Sequence, residues 1–265
     1  ILKTMNKITP TSIAAVVMLS ASQLLAATIW SDDFESYADT AALSPTYTQI
    51  YPTYPMLLDT TKGYNSSKSI HFGLTAANSQ ARAYFNLPGG PLTPSDGAPV
   101  KVEFMVDLDT AIWSTRQYIE LRSYSGGSYN SGTLNQLFAL GFTSSGVDTT
   151  LINQRILSGT SAGWGNLSGA YTRAMIANPD NNWTKLGMVI YSSKIEYYVN
   201  DSLDSSKPIS GTYAFDSVVI GSGLSSAGAD VWFDNLTVAV VPEPSSLALG
   251  LIGGIGLLVA RMRRQ

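Results

Sequence analysis

Hydrophobic and polar residues alternate most regularly along residues 100–109. Every second residue there is apolar, and the residues between them are mostly acidic. A period of two is typical of a β-strand with one face in a core and the other face in water or against a ligand. The predicted core face is Val102, Phe104, Val106 and Leu108, and the opposite face is Glu103, Met105, Asp107 and Asp109.

Shorter segments of the same kind follow one another from residue 29 to residue 241. Clusters of Gly, Ser, Asn or Pro separate them, and none shows the longer period of a capped helix. Residues 183–191 and 194–200 predict a hairpin that turns at 191–194, after which 200–202 predicts a loop. Residues 29–37 predict a strand followed by an acidic turn. The other predicted strands are 69–74, 80–87, 117–124, 136–143, 150–157, 217–221 and 230–241. This succession predicts an all-β fold, an antiparallel β-sandwich, with function in its loops.

The N-terminal end departs from this pattern. A segment that opens at Met5 carries Lys7, an apolar body over 13–25 and the small pair Ala26 and Ala27. This order of parts predicts a secretory signal peptide over 1–27. An uncleaved membrane anchor is the alternative.

The C-terminal end also departs from it. An uncharged apolar run over 247–260 precedes Arg261, Arg263 and Arg264. It predicts a transmembrane helix, although a full crossing usually takes about 20 residues, and the arginines are typical of a cytoplasmic end. A buried core helix is the alternative. One β-sandwich domain remains, at 28–240.

Composition narrows the classes of partner and chemistry. Charged residues make up 13% of the chain, the formal net charge is −3 and the isoelectric point is near 5.1. Nucleic-acid binding requires a basic surface, so this balance argues against a nucleic-acid partner. The absence of cysteine excludes disulfides, thiol catalysis and thiolate metal sites.

A short motif, Pro242-Glu243-Pro244, separates the predicted sandwich from the C-terminal apolar run. This tripeptide, the single apolar segment and the arginine cluster resemble the PEP-CTERM sorting signal of Gram-negative bacteria, here over 241–265. The resemblance implies an exported protein that signal peptidase cleaves and that an exosortase, a membrane transpeptidase, recognises at the motif. It also implies an inner-membrane intermediate held by the C-terminal segment. The final location would be the cell surface or an extracellular matrix, such as a biofilm rich in exopolysaccharide.

Several stretches of the predicted domain resemble the concanavalin A-like or laminin G-like jelly-roll modules. They are residues 32–35, 183–186, 195–200 and 232–236. The resemblance spans most of 28–240. It implies two stacked sheets, a first and a last strand in one sheet, and carbohydrate or protein binding.

Asp33, Glu35 and Asp234 are the candidates for a structural calcium site. If the first and last strands are neighbours, as the resemblance implies, these carboxylates converge. Hard oxygen ligands of this kind suit Ca²⁺. The alternative is that they cap turns or face solvent, as most acidic residues do.

No catalytic residue is predicted. Glu103 and Asp107 share a strand face but lie about 14 Å apart, at about 7 Å per two residues, which is too far for a glycosidase pair. His71 is the only histidine. A non-enzymatic protein is therefore predicted. A jelly-roll carbohydrate-active enzyme, glycosidase or lyase, with a site assembled from several strands, is the alternative.

Aromatic residues near Gly- and Ser-rich turns are the candidates for ligand binding, because flat rings stack on sugar faces. They are Trp113, Tyr118, Tyr124, Tyr129 and Trp164, with Trp113, Tyr129 and Trp164 as the proposed contacts. They predict an exopolysaccharide or surface-glycan partner, and a purely structural surface protein is the alternative. Trp183 and Trp232 are predicted to lie in the core.

Overall fold

Fifteen strands and two short helical turns make up the part of the chain that the computed structural model describes. That part comprises residues 26–50, 55–73, 79–108, 116–126, 132–144, 146–157, 162–176, 183–225 and 230–242. The strands are β1 Ala27–Asp32, β2 Thr48–Gln49, β3 Leu57–Asp59, β4 Ser69–Gly73, β5 Ser79–Asn86, β6 Val100–Leu108, β7 Gln117–Ser125, β8 Thr133–Phe142, β9 Asn153–Ile156, β10 Gly163–Asn166, β11 Thr184–Ile190, β12 Lys194–Val199, β13 Ser202–Pro208, β14 Ser217–Ser225 and β15 Asp230–Val240. A 3₁₀ turn spans Thr40–Leu43, and a single helical turn, α1, spans Arg173–Ile176.

The strands form two antiparallel sheets. Sheet A has the order β13-β12-β11-β6-β15-β4-β3, with β1 also paired to β15, and sheet B has the order β10-β9-β8-β7-β14-β5-β2. Apolar side chains of both sheets, among them Phe104 and Phe233 of sheet A and Ile119 and Phe138 of sheet B, form one buried cluster. Burial of such a side chain stabilises the fold by about 1.5 to 3 kcal/mol. The predicted antiparallel β-sandwich is confirmed.

The first and the last strand are neighbours. β1 pairs antiparallel with β15, so that Ala27 lies opposite Val240 and Asp32 opposite Leu236. This pairing, which the jelly-roll resemblance implied, places both strands in sheet A.

The predicted terminal segments lie outside the described residues. These are the signal segment up to residue 25 and the chain from Glu243 onward, including the apolar run and the arginines. Within the described ranges, no helix is long and apolar enough to cross a membrane.

Two tight turns shape one edge of sheet A. The predicted turn at 191–194 is present, with Tyr191 N–H donating to the Lys194 carbonyl at 2.9 Å. The prediction of a loop from Asn200 onward was wrong. Asn200 and Asp201 form a two-residue turn, and β13 follows directly. Their φ angles are 48° and 64°, which Asn and Asp tolerate better than other non-glycine residues and which suit a hairpin turn.

The outer face of β6 is partly covered. The side chains of Met105 and Asp107 are buried, so the prediction of a wet or ligand-facing surface was wrong at these two positions. Lys62 explains the burial of Asp107, because its Nζ lies 3.2 Å from Asp107 Oδ2 and 3.5 Å from the ring centroid of Trp232. Trp232 stacks in turn on His71, with 4.6 Å between ring centroids. Trp232 therefore lies on the outer face of sheet A. The prediction that it lies in the main core was wrong.

Candidate functional site

A transverse row of side chains crosses the outer face of sheet B. Strand pairing places β10, β9, β8, β7, β14 and β5 side by side in this row. Side chains alternate between the two faces along each strand, so residues in register with one another share a face. The row is Trp164, Arg155, Ala139, Glu120, Val219 and Tyr84.

Tyr118 lies beside this row, on the same face of β7. Its partners in register are Gly141 on β8 and Gly221 on β14, so no side chain flanks the phenol ring on either neighbouring strand. Burial raises the pKa of Tyr118, and its hydroxyl therefore keeps its proton at neutral pH.

The indole of Trp164 is held by aromatic and cationic neighbours. Its ring centroid is 5.5 Å from that of Tyr118, 4.8 Å from Arg155 Cζ and 5.7 Å from Arg116 Cζ. A cation–π contact contributes about 0.5 to 2 kcal/mol, depending on exposure. Gly146 lies against the indole edge, where an added Cβ would be only 3.2 Å from Cδ1. Trp164 remains half-buried, so part of its surface is open to solvent in a defined orientation.

A buried ion pair supports the middle of the face. Arg122 donates from Nε to Glu120 Oε2 at 2.5 Å, and both side chains are less than a tenth exposed. Arg122 also donates from Nη1 to the Tyr124 hydroxyl at 2.9 Å, and the Tyr124 N–H donates to Asp216 at 2.9 Å. These bonds fix the Tyr124 ring on the rigid strand β7.

We call this surface the arginine–aromatic face. It comprises Arg82, Tyr84, Arg116, Tyr118, Glu120, Arg122, Tyr124, Arg155 and Trp164. The predicted contact Trp164 belongs to it, as do Tyr118 and Tyr124. The other two predicted contacts, Trp113 and Tyr129, lie outside the described residues.

The sequence interpretation missed the charged members of the face. Glu120 and Arg122 alternate with core residues Ile119 and Leu121 along β7, and this charged outer pattern was a usable signal. Arg155 gave no such signal, because it joins the face only through the pairing of β9 with β8.

Each of the three candidate calcium ligands accepts other hydrogen bonds. Glu35 Oε1 accepts the Lys68 N–H at 2.6 Å, and Asp234 Oδ2 accepts the Tyr64 N–H at 2.7 Å. Asp33 Oδ1 accepts the Glu35 N–H at 3.2 Å. Glu35 and Asp234 thus hold the loop between β3 and β4 against the sheet. Burial raises the pKa of Asp234 to about 6, against the opposing effect of its hydrogen bonds.

The calcium site stays a prediction. Among the described residues, no group of three or more His, Asp or Glu side chains is arranged to hold a metal ion. A ligand that binds only the folded state raises its melting temperature. We therefore expect chelation to lower the melting temperature if calcium binds, and an unchanged value would remove the site.

A second concavity, the end pocket, lies where α1 and the loop before β4 approach the start of β11. Its volume is about 460 Å³, and Tyr64, Tyr171, Trp183, Asn65 and Asn200 contribute to its lining. Tyr64 and Trp183 meet edge to face, with 6.4 Å between ring centroids. Trp183 was predicted to lie in the core, but it is half-buried in this pocket.

The acidic residues of β6 are held in ion pairs. Glu103 Oε1 lies 2.7 Å from Lys101 Nζ and 3.1 Å from Lys185 Nζ, and Asp107 pairs with Lys62.

Residues 159–163 read Gly-Thr-Ser-Ala-Gly, the spacing of a nucleophile elbow. That motif requires a helix directly after the serine, whereas here the last glycine of the motif, Gly163, begins strand β10. Residues 158–161, with the serine, lie outside the described residues.

The sequence has no match among protein-family models or curated proteins. Solved structures do resemble the fold. The globular domain of T. cruzi calreticulin has a TM-score of 0.54 at 11% identity, over 88% of this chain and 95% of that one. A carbohydrate esterase from the Shiga toxin-encoding bacteriophage phi24B has a TM-score of 0.52 at 12% identity, over 82% and 100%. A sialidase has a TM-score of 0.52 at 11% identity over 80% of this chain, which spans only 18% of that protein.

Proposed function

We propose that this protein is an exported, surface-directed β-sandwich that binds glycan without transforming it. The half-buried Trp164 of β10, held by Tyr118 and by the guanidinium groups of Arg116 and Arg155, carries the proposal. Preorganised aromatic rings with adjacent polar groups are typical of carbohydrate sites. Two proteins of similar fold, the carbohydrate esterase and the sialidase, are named for chemistry on carbohydrates, which supports the same class of ligand.

Retention on immobilised polysaccharides tests the binding. We expect the purified protein to bind at least one polymer and Trp164→Ala to weaken that binding about tenfold or more, the equivalent of about 1.4 kcal/mol. Trp183→Ala in the end pocket is the matched control and should leave binding unchanged. Loss of binding with Trp183→Ala alone would move the site to the end pocket. No retention on any polymer would end the proposal.

Delivery to the surface is the second part of the proposal. Pro242 follows β15 by only two residues, and Val241 N–H still donates to the Pro99 carbonyl at 2.9 Å. The proposed exosortase motif would then begin directly at the edge of the folded domain. Replacement of Pro242, Glu243 and Pro244 by alanine should leave the protein unprocessed in the inner membrane. Normal processing of this variant would contradict the sorting role.

A carbohydrate-active enzyme is the alternative. Glu120 supplies a carboxylate to the arginine–aromatic face, although the ion pair with Arg122 occupies it. Release of new sugar ends from a bound polymer, abolished in Glu120→Gln while binding persists, would establish catalysis in place of simple binding.

A further inference from the structure

The basic residues of the domain are divided between its two sheets by type. Residues 28–240 contain eleven lysines and arginines against eighteen aspartates and glutamates, so the domain is acidic as a whole. All six lysines belong to sheet A or its loops, whereas all five arginines belong to sheet B or its flanks. Four of these arginines lie on the arginine–aromatic face: Arg82, Arg116, Arg122 and Arg155. One face of an acidic domain is therefore locally basic.

The lysines of sheet A are largely neutralised. Lys62 pairs with Asp107, Lys101 and Lys185 pair with Glu103, and Lys194 pairs with Glu196, all at 3.2 Å or less. Charges in such pairs attract an external anion weakly, because a carboxylate is already bound. The outer face of sheet A is thus close to charge balance at these positions.

Arg155 differs from these lysines. Its guanidinium lies over the Trp164 ring, and no carboxylate of the described residues is within ion-pair distance of it. Stacking engages the π face of a guanidinium and leaves the N–H groups at its edge available. The side chain is half-buried, so part of it is open to solvent, and its contact with Trp164 holds the guanidinium beside the indole.

The residue type points to the ligand chemistry. A guanidinium presents two parallel N–H donors that match a carboxylate in a bidentate pair, which a lysine cannot do. An adjoining tryptophan offers an apolar surface for a sugar ring. Both features in one place suit a sugar that carries a carboxylate.

We propose that the arginine–aromatic face binds a polyuronate, with Arg155 pairing with a uronate carboxylate and the open part of Trp164 contacting the sugar ring. This proposal rests on the proposed glycan binding and names its ligand class. Glu120, already paired with Arg122, adds little repulsion toward the polymer. The acidic remainder of the domain repels the polyanion and so favours binding at this one face.

Two forms of one polymer test this. Polygalacturonate and the same polymer with its carboxyl groups reduced to alcohols differ only in charge and one functional group. We expect the purified protein to bind polygalacturonate at least tenfold more tightly, with an affinity that falls as salt is added. Arg155→Ala should remove most of this preference, and Arg155→Lys should restore it only in part. Lys101→Ala on sheet A should change neither affinity, and unchanged melting temperatures exclude unfolding.

Three other outcomes would overturn the proposed uronate preference. Equal affinity for both polymers, still dependent on Trp164, would overturn the uronate preference and leave glycan binding in place. No binding to either polymer, with binding to a neutral glycan elsewhere on an array, would have the same meaning. Equally tight binding of single-stranded DNA would overturn the uronate assignment, because arginine and aromatic rings can also hold a nucleic acid.

Discussion

Glu120→Ala is expected to lower the free energy of unfolding by about 3 to 5 kcal/mol. The substitution leaves the Arg122 guanidinium, less than a tenth exposed, without its buried carboxylate partner. Removal of one partner from a buried ion pair costs about this much, even where the intact pair adds little net stability. Urea unfolding at neutral pH, with an unchanged dependence on denaturant, measures the difference.

The chain contains a matched control for this ion pair. Lys101 and Glu103 are also two residues apart on one strand, but they are about a third and a fifth exposed. Lys101→Ala should cost no more than about 1 kcal/mol, as exposed pairs do. The double substitution Glu120→Leu with Arg122→Leu should recover part of the loss, because apolar replacement of both partners removes the buried charge. A cost below about 1 kcal/mol for Glu120→Ala would contradict this prediction and show that water or the other contacts of Arg122, such as the Tyr124 hydroxyl, compensate its charge.

Gly221→Ala is expected to destabilise the sandwich by about 2 to 6 kcal/mol. Gly221 has a φ of 116°, which strains any residue with a Cβ by about 1 to 3 kcal/mol. The new methyl group would also overlap the Ala81 carbonyl oxygen and would lie 2.9 Å from the Phe72 ring. Overpacking of this kind adds about 1 to 3 kcal/mol. The carbonyl cannot withdraw without disturbing the pairing of β14 with β5.

Gly97→Ala separates these effects from the general effect of replacing a glycine. No atom lies within 4 Å of a Cβ at Gly97, and its φ is not positive. The same thermal or denaturant measurement should find a change within about 1 kcal/mol, of either sign. Similar losses for Gly221→Ala and Gly97→Ala would contradict the close approach at Gly221.

Local patterns in the sequence predicted local structure well. The alternation along β6 placed Val102, Phe104 and Val106 in the core, because side-chain direction in a strand depends only on the residue's own position. The burial of Asp107 did not follow from that pattern, since it depends on Lys62 from a distant loop. The polar pair Asn200 and Asp201 suggested a loop, so the two-residue turn was not predicted. The left-handed backbone of both residues reverses the chain at once, and β13 begins directly after them.

The arginine–aromatic face shows the limit of sequence patterns more clearly. β7, β8, β9 and β10 pair in chain order, but the other edge of β7 pairs with β14, which in turn pairs with β5. Arg82 and Tyr118 share a face only because β14 lies between their strands, with Gly221 in register with both. No local pattern contains this order of strands. Trp164 was found from its glycine neighbours, whereas the arginines beside it required the sheet.

The position of β15 determines how the domain would bear mechanical load. β15 leads directly toward Pro242, and it is bonded to β6 on one side and to β4 and β1 on the other. A pull on the segment after Val240, against a polymer held by sheet B, loads the bonds of β15 to β6 and β1 together in shear. A pull between Ala27 and Val240, which lie opposite each other, would instead open the β1–β15 bonds one after another. Attachment through the C-terminal segment alone would therefore load the hydrogen bonds of β15 in shear, the direction in which the sandwich resists force better.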